Sequence, residues 1–563
     1  MMTTQRFDHW YNHPAIDSQT KAQMESMNEK ERYDAFYTRV EFGTAGMRGL
    51  LGPGSNRLNI YTIRRANLGF AKYLVELAKT TDKRGVAIAY DNRFMSKEFA
   101  IESARVLAMF DIESYVYTGL RPTPQLSYTV RELNCIGGIV ITASHNPKEY
   151  NGYKVYDPTG CQLIPEEIEK VIQAVEEVED ELSIEVKLTF EQEKLIHWLD
   201  EDMDIRYAKR VSQIQLRPEL KKDIKVIFTP QHGTAYPITD IVLKEAGYNV
   251  ILVEEQCTPD PSFPNTKTPN PEEPAAYELA IEYAKKHDAQ IVISTDPDAD
   301  RVGVVVKHQG EYVLMTGNQT GSVLLEYVFS SMREKGIMPP KPVMFNTVVT
   351  SDLGEAVAMH HGVEVEKTLT GFKFIGEKIE KYEKSNEKQF VFGYEESYGY
   401  LIQPFVRDKD AVQACLIICE ATQYYHSKGM TLFDVLQQLY QRHGTFLETQ
   451  TSLTLAGAQG SARITEIMAN LRSAPLKEVA GFEVIAWEDY KQQVVLSGED
   501  SFELDFPVSD VLKMKLSDGS WIAVRPSGTE PKCKFYYCIK GVDEAETKEK
   551  FALFSQVIKT TIE

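Results

Sequence analysis

At 563 residues, and about 150 residues per domain, the chain has room for about four domains or fewer large ones. It carries 82 acidic and 62 basic side chains, a net charge of −20, which speaks against nucleic acid or an anionic membrane as a partner, because a strongly negative surface attracts neither. With 43% apolar and 26% charged residues the composition is that of a globular protein, and disordered and collagen-like chains are excluded.

The first segment with chemistry in it is the glycine-rich turn Phe42-Gly-Thr-Ala-Gly-Met-Arg-Gly49, whose lone Arg48 precedes no βαβ dinucleotide fingerprint. Apolar, β-branched runs follow at 85–91, 136–143, 225–230, 249–253, 290–295, 342–347 and 389–393. Each ends in turn residues and is succeeded by a helical pattern, which predicts βα units around buried mixed or parallel sheets. Residues 166–185 read as an acidic helix with a solvated face. Cys257 to Pro274, dense in proline, reads as a loop within a domain. Beyond about residue 450, short strands at 511–516, 521–524 and 534–540 and a closing helix at 543–562 predict a smaller α+β unit.

Seven cysteines without a C-x-x-C pair predict reduced thiols. The first residues lack an apolar signal-peptide core, and the apolar stretches are too short to span a bilayer. A cytoplasmic location is the expectation.

Three loops carry candidate catalytic groups. In Thr142-Ala-Ser-His-Asn-Pro147 an apolar strand runs into Ser144, at the carboxyl end where open α/β sheets place ligands, with His145 and Lys154 nearby in sequence for proton transfer or charge. No G-x-S-x-G elbow is present, which disfavours an acyl-transfer triad; a serine capping an ordinary turn is the bland alternative. In Asp296-Pro-Asp-Ala-Asp-Arg301 three alternating carboxylates can converge on one hard cation such as Mg²⁺. Arg301 and Lys307 stand where a calcium-binding EF-hand needs glycine and glutamate, so that loop type is excluded. In Arg525-Pro-Ser-Gly-Thr529, Arg525 offers a fork for phosphate, Ser527 and Thr529 offer hydroxyls, and Gly528 opens the backbone; an ordinary hairpin turn is the competing reading.

Two further segments are polar. Gly393-Tyr-Glu-Glu-Ser-Tyr-Gly399 places carboxylates and a hydroxyl after a strand, as a polyhydroxyl ligand requires. Thr370-Gly-Phe-Lys-Phe-Ile-Gly376 has a P-loop's glycine spacing without its Lys-Ser/Thr ending. A candidate nucleophile, a metal loop, a phosphate loop and a hydroxyl-reading loop together fit phosphoryl transfer on a sugar phosphate.

These motifs, in this order and from residue 42 to residue 531, resemble those of the α-D-phosphohexomutase superfamily, the phosphoglucomutase/phosphomannomutase group. The resemblance implies an α/β fold of three consecutive α/β domains with mixed sheets and a smaller C-terminal α+β domain around a central cleft. The borders expected from it are 1–205, 206–312, 313–445 and 446–563. It implies that Ser144 is phosphorylated and that Mg²⁺ is held by Asp296, Asp298, Asp300 and a phosphoserine oxygen. It assigns Arg48, His145, Lys154, Arg301 and Lys373 to phosphoryl-site charge and proton transfer. Glu395 and Ser397 fall to sugar hydroxyls, and Arg525, Ser527, Gly528 and Thr529 to the phosphate that is not reacting.

The implied reaction interconverts α-D-glucose 1- and 6-phosphates, with glucose 1,6-bisphosphate as intermediate and activator. Glu395-Glu-Ser397 is more like glucose-preferring members than the Glu-Met-Ser of dual-specificity relatives. Mannose and pentose phosphates, or a magnesium-dependent phosphatase reaction, are the alternatives. Tyr394 departs from the glycine common in this loop, and Pro297 and Ala299 from glycines between the metal acids. A small-molecule sugar phosphate is the expected partner; monomer and dimer both stay open.

Overall fold

The computed structural model describes residues 2–43, 46–455, 457–526 and 532–562, the side chains of 2, 457–459 and 461 excepted. Two compact units divide it, one made of Met1–Gly317 with Phe372–Thr431, the other of Asn318–Gly371 with Leu432–Glu563.

The first unit opens with three helices, Met2–Asn12, Ser18–Ser26 and Glu29–Phe36. They bury Phe7, Trp10, Ile16, Met24 and Phe36 against Tyr61 and Leu182. This packing corrects the reading of residues 166–185 as one solvated acidic helix. The helix stops at Glu176, and Glu181 is buried, accepting from Trp10 Nε1 at 3.2 Å and pairing with Arg39 at 3.3 Å. A carboxylate is tolerated there because both partners offset its lost hydration.

A six-stranded mixed sheet follows, in the order Met47–Leu50, Tyr150–Tyr156, Gly137–Ile141, Val86–Tyr90, Ser114–Tyr117, Ile196–Leu199. Its four strands from Gly137–Ile141 to Ile196–Leu199 are parallel, and the two at the other edge antiparallel. Every residue of Val86–Tyr90 and Gly137–Ile141 is buried, as strands covered by helices on both faces must be. The helix Ile60–Leu77 is started by Asn59, whose side chain accepts from Tyr61 N and Thr62 N, and it sends Ile63, Phe70 and Leu74 into the core. Each such apolar side chain contributes about 1.5–3 kcal/mol on burial.

A second mixed sheet has the order Glu311–Met315, Val302–His308, Ile291–Thr295, Lys225–Thr229, Asn249–Leu252, parallel among its last three strands. The α/β pattern continues to residue 443. The antiparallel pair Gln389–Glu395 and Gly399–Leu401 and the helix Ala411–His426 belong to the first unit. The parallel pair Pro342–Thr347 and Glu364–Thr368 belongs to the second. Helix Ala411–His426 is buried from Ala411 to Tyr425, which explains the apolar run around Cys415 and Cys419.

The rest of the second unit is an antiparallel sheet, ordered Thr445–Thr454, Lys532–Gly541, Trp521–Pro526, Leu512–Leu516, Phe482–Asp489, Val494–Ser497, Asp500–Glu503. Helices Gly457–Ser473 and Glu544–Ile562 accompany it, and Ile467, Leu471, Phe554 and Ile558 pack on its strands. The chain is therefore three α/β domains with mixed sheets followed by a C-terminal domain, as its motifs predict. No helix among the described residues is long and apolar enough to cross a membrane.

Candidate active site

Ser144 stands just past the C-terminal end of strand Gly137–Ile141, and Asp296 just past Ile291–Thr295. Ligands to open α/β sheets collect at such ends. Ser144 is buried in the left-handed region, φ +52°, with its N–H bonded to Thr142 Oγ1 at 2.8 Å. Its hydroxyl donates to Asp296 Oδ2 at 2.6 Å. His145 Nδ1 lies 3.1 Å from the same hydroxyl, and with that proton engaged the ring is placed to donate. Burial, then the charges of Arg301 and Arg48, push the His145 imidazole well below its ordinary range, so it is neutral at neutral pH.

The metal loop folds tightly. Asp296 Oδ1 accepts the N–H groups of Asp300 at 3.1 Å and Arg301 at 3.0 Å, and Ala299 turns through φ +55°. One oxygen each from Asp296, Asp298 and Asp300 lie within 4.8 Å of one another, all three residues buried. Burial, with Asp298 and Asp300 beside it, raises the Asp296 carboxyl far above the usual carboxylate range. Asp298 moves the other way despite its burial, held low by Lys154, Asp296, Lys409 and Thr123. Among the described residues, buried Asp298 Oδ1 and Asp300 Oδ1 have no hydrogen-bond partner. Oxygen-only donors with two orphaned buried atoms fit a hard divalent cation.

Cations surround these acids. Lys154, buried on strand Tyr150–Tyr156, donates to Asp298 Oδ2 at 3.2 Å, and the Thr123 hydroxyl donates to the same oxygen at 3.0 Å. Arg301 pairs with Glu272 at 2.7 Å and lies 3.7 Å from Asp300. Arg48 donates to Asn146 Oδ1 at 3.0 Å, in the loop after Ser144. Glu395 ends the strand Gln389–Glu395, close enough to Arg301 and Lys409 to favour their charged forms; Ser397 is half-buried in the next turn.

The first unit thus brings together Ser144, His145, Lys154, Arg48, Arg301, Glu395 and the three aspartates. Lys373 is buried near the start of helix Phe372–Ser385, its carbonyl accepting from Cys161 Sγ at 3.3 Å and its ammonium 5.3 Å from the Phe374 ring. Arg525 lies half-buried on strand Trp521–Pro526 of the second unit. Ser527, Gly528 and Thr529 lie outside the described residues.

Sequence reasoning missed Lys409. Its ammonium is 3.1 Å from Asp300 Oδ2 and 3.4 Å from Asp408 Oδ1, within the buried tetrad Arg407-Asp-Lys-Asp410. Four charges before a helix read as a solvated turn. The signal lies in the apolar run Ala414-Cys-Leu-Ile-Ile-Cys419 of the helix that follows, since a turn leading into it is drawn inside and its charges must then be paired. Two glycines make room for this site. A Cβ on Gly399 would sit 2.0 Å from Lys409 Cδ, and one on Gly233 would sit 2.4 Å from Pro297 Cα in the metal loop.

Residues 39–182, 205–310 and 316–443 match the family models for phosphoglucomutase/phosphomannomutase alpha/beta/alpha domains I, II and III. Residues 468–552 match the C-terminal domain of that family. A relative named phosphoglucomutase from Staphylococcus aureus (strain MRSA252) is 40% identical over 544 residues, 95% of this chain and 96% of the relative. Among solved structures, a phosphoglucomutase/phosphomannomutase family protein from Burkholderia thailandensis superposes with a TM-score of 0.67 at 18% identity, covering 94% of this chain and 98% of its own. A phosphoglucomutase from Paramecium, parafusin, gives a TM-score of 0.65 at 18% identity, covering 93% and 94%.

Proposed function

Since the chain belongs to the phosphoglucomutase/phosphomannomutase family, we propose that it interconverts α-D-glucose 1-phosphate and glucose 6-phosphate through a phosphorylated Ser144 and glucose 1,6-bisphosphate. The carrying observation is the 2.6 Å bond from Ser144 Oγ to Asp296, an edge of the carboxylate triad. A nucleophile set against a cation site is what reversible phosphoryl transfer needs.

The phosphoryl group on Ser144 Oγ passes to the free hydroxyl of the bound sugar monophosphate, whose proton leaves to a base as the new P–O bond forms and the serine P–O bond breaks. The bisphosphate then turns, and the other phosphoryl group returns to Ser144 Oγ, restoring the phosphoserine. Mg²⁺ on Asp296, Asp298 and Asp300, when bound, offsets the charge that builds on the moving phosphoryl oxygens. Arg48 and Arg301 add positive charge around it. Neutral His145, Lys154 and Lys373 are the proton-transfer candidates from sequence, and Lys409 joins them from its place beside Asp300. Glu395 and Ser397 read sugar hydroxyls. Arg525 with Ser527, Gly528 and Thr529 holds whichever phosphate is not reacting, so that both orientations use one anion site. Seven free cysteines support a reducing, cytoplasmic setting.

The test is a matched assay on glucose 1-, mannose 1- and ribose 1-phosphates, primed with glucose 1,6-bisphosphate, with free phosphate followed alongside. The highest kcat/KM is expected on glucose 1-phosphate, with isomer formed and no phosphate released. A higher kcat/KM on ribose 1-phosphate overturns the sugar assignment, and phosphate released in step with substrate loss overturns the mutase.

A further inference from the structure

The segment Asp91-Asn-Arg93 after the strand Val86–Tyr90 enters none of the roles above, yet its arginine is spent wholly on the loop that carries Ser144. The side chain of Arg93 is 0% exposed, so it meets no ligand. Nη2 donates to the carbonyl oxygens of Ser144 at 2.6 Å and Asn146 at 2.5 Å. Nη1 donates to those of Pro147 at 2.8 Å and Tyr150 at 3.0 Å. Nε lies 3.4 Å from the Asp91 carboxylate, itself fixed by the Arg93 N–H at 3.0 Å and the Ser96 hydroxyl at 2.8 Å. Four N–H donors of a rigid planar fork thus reach main-chain oxygens of one seven-residue stretch, and the remaining edge faces the Asp91 carboxylate as an ion pair.

That stretch needs holding. Ser144 occupies left-handed backbone space, φ +52°, which a residue with a Cβ adopts only at an energetic cost. The direction of its Oγ toward Asp296 depends on that conformation. The clamp also faces the proline-rich loop of the second sheet's domain. The Phe263 ring centre lies 5.6 Å from the guanidinium carbon, and Asn92 Nδ2 donates to Asp260 O at 2.9 Å. Arg93 therefore sits where the nucleophile's loop meets the domain that supplies the metal acids.

We infer that Arg93 is the positioning residue of the phosphoryl carrier: it sets the backbone of residues 144–150 and so aims Ser144 Oγ at the carboxylate triad. This rests on the reading of Ser144 as that carrier. Displacing a reacting group by about 1 Å costs about 100-fold in rate. A lysine supplies the charge from one point and cannot reproduce the fork.

The experiment compares full-length wild type with Arg93→Lys and with the double variant Asp91→Asn/Arg93→Gln, which leaves no buried charge unpaired should the lysine variant not fold. For each folded protein the expected result is a kcat on glucose 1-phosphate lower by about 100-fold with KM within about 3-fold, because the clamp touches no substrate. The ³¹P resonance of phosphorylated Ser144 is expected to shift or broaden. A wild-type kcat with an unmoved phosphoserine resonance in either folded variant overturns the inference, as does a loss carried by KM alone. Wild type run alongside separates the two readings. An inactive wild type sinks the mutase, whereas an active wild type with an equally active variant sinks only the role of Arg93.

Discussion

The Ser144 hydroxyl and the Asp296 carboxylate, 152 positions apart in the chain, meet in a 2.6 Å hydrogen bond. Each residue follows a fully buried parallel strand of a different sheet, so the contact joins two domains at the point where phosphoryl transfer is proposed. Losing the hydroxyl leaves Asp296 Oδ1 its two backbone donors, so the metal loop keeps its shape in Ser144→Ala. The variant is expected to fold, to lack the single phosphoryl group that intact-mass measurement finds on wild type, and to lose about 10³-fold or more in kcat, as removal of a covalent nucleophile does. Full activity in Ser144→Ala would exclude the phosphoserine route.

Divalent metal should be felt in stability as well as rate. Asp298 Oδ1 and Asp300 Oδ1 are buried without hydrogen-bond partners among the described residues, and a bound cation relieves both. Removing metal with EDTA is expected to abolish turnover, and Mg²⁺ to restore it. Mg²⁺ at 100 times its Kd is expected to stabilise the fold by about 2.7 kcal/mol, seen as a rise in Tm. Asp298→Asn should lose both the rescue and the rise. An unchanged Tm in wild type across a Mg²⁺ titration that restores activity would mean that the triad is not where the metal binds.

Much of this was legible in the chain because the chemistry sits in contiguous loops at strand ends. Continuous apolar strands announce α/β domains, and Ser144, the alternating aspartates and Arg525 each follow or end a strand. Groups defined by three-dimensional convergence were not legible. Lys409 reaches Asp300 from a turn 109 positions on, and Glu272 reaches Arg301 from a proline-rich loop that reads as a mere connection. Arg93 acts through carbonyl oxygens, which every sequence carries alike. Glu181 looked solvated because its partners, Trp10 and Arg39, lie more than 140 positions upstream.

The Lys409 side chain runs across Gly399, where an added Cβ would stand 2.0 Å from its Cδ. Gly399→Ala should therefore push the ammonium off Asp300 without touching any charged group. The expected outcome is overpacking of about 1–3 kcal/mol with a fall in kcat of roughly 10- to 100-fold. Lys409→Met should cost more, about 3–5 kcal/mol, because Asp300 and Asp408 lose a buried partner. Steady-state kinetics with thermal melts check both. Wild-type kcat in Gly399→Ala would show that the position of Lys409 does not matter to turnover.

In the second unit a buried lysine gives a test by pH. Lys513, on strand Leu512–Leu516, donates from Nζ to Val348 O at 2.8 Å and lies 4.1 Å from the Trp521 ring centre. Burial, then the neighbouring charge of Lys367, pulls its pKa down to about 8, against the opposing pull of Asp352 and Glu488. An unfolded lysine keeps its proton up to about pH 10.4. Between about pH 8 and 10 the unfolded chain therefore binds more protons at this position than the folded one, and the contribution of Lys513 to stability rises with pH. Below pH 8 both states are protonated and the cost of burying the ammonium is present in full. Lys513→Met removes the titrating group and leaves the other alkaline effects in place. The difference in unfolding free energy, wild type minus variant, is expected to move in favour of wild type by roughly 1–3 kcal/mol from pH 7.5 to pH 10. Denaturant unfolding of the two proteins at pH 7.5, 8.5, 9.25 and 10 measures it, and a difference that stays flat would place the Lys513 pKa at its ordinary value.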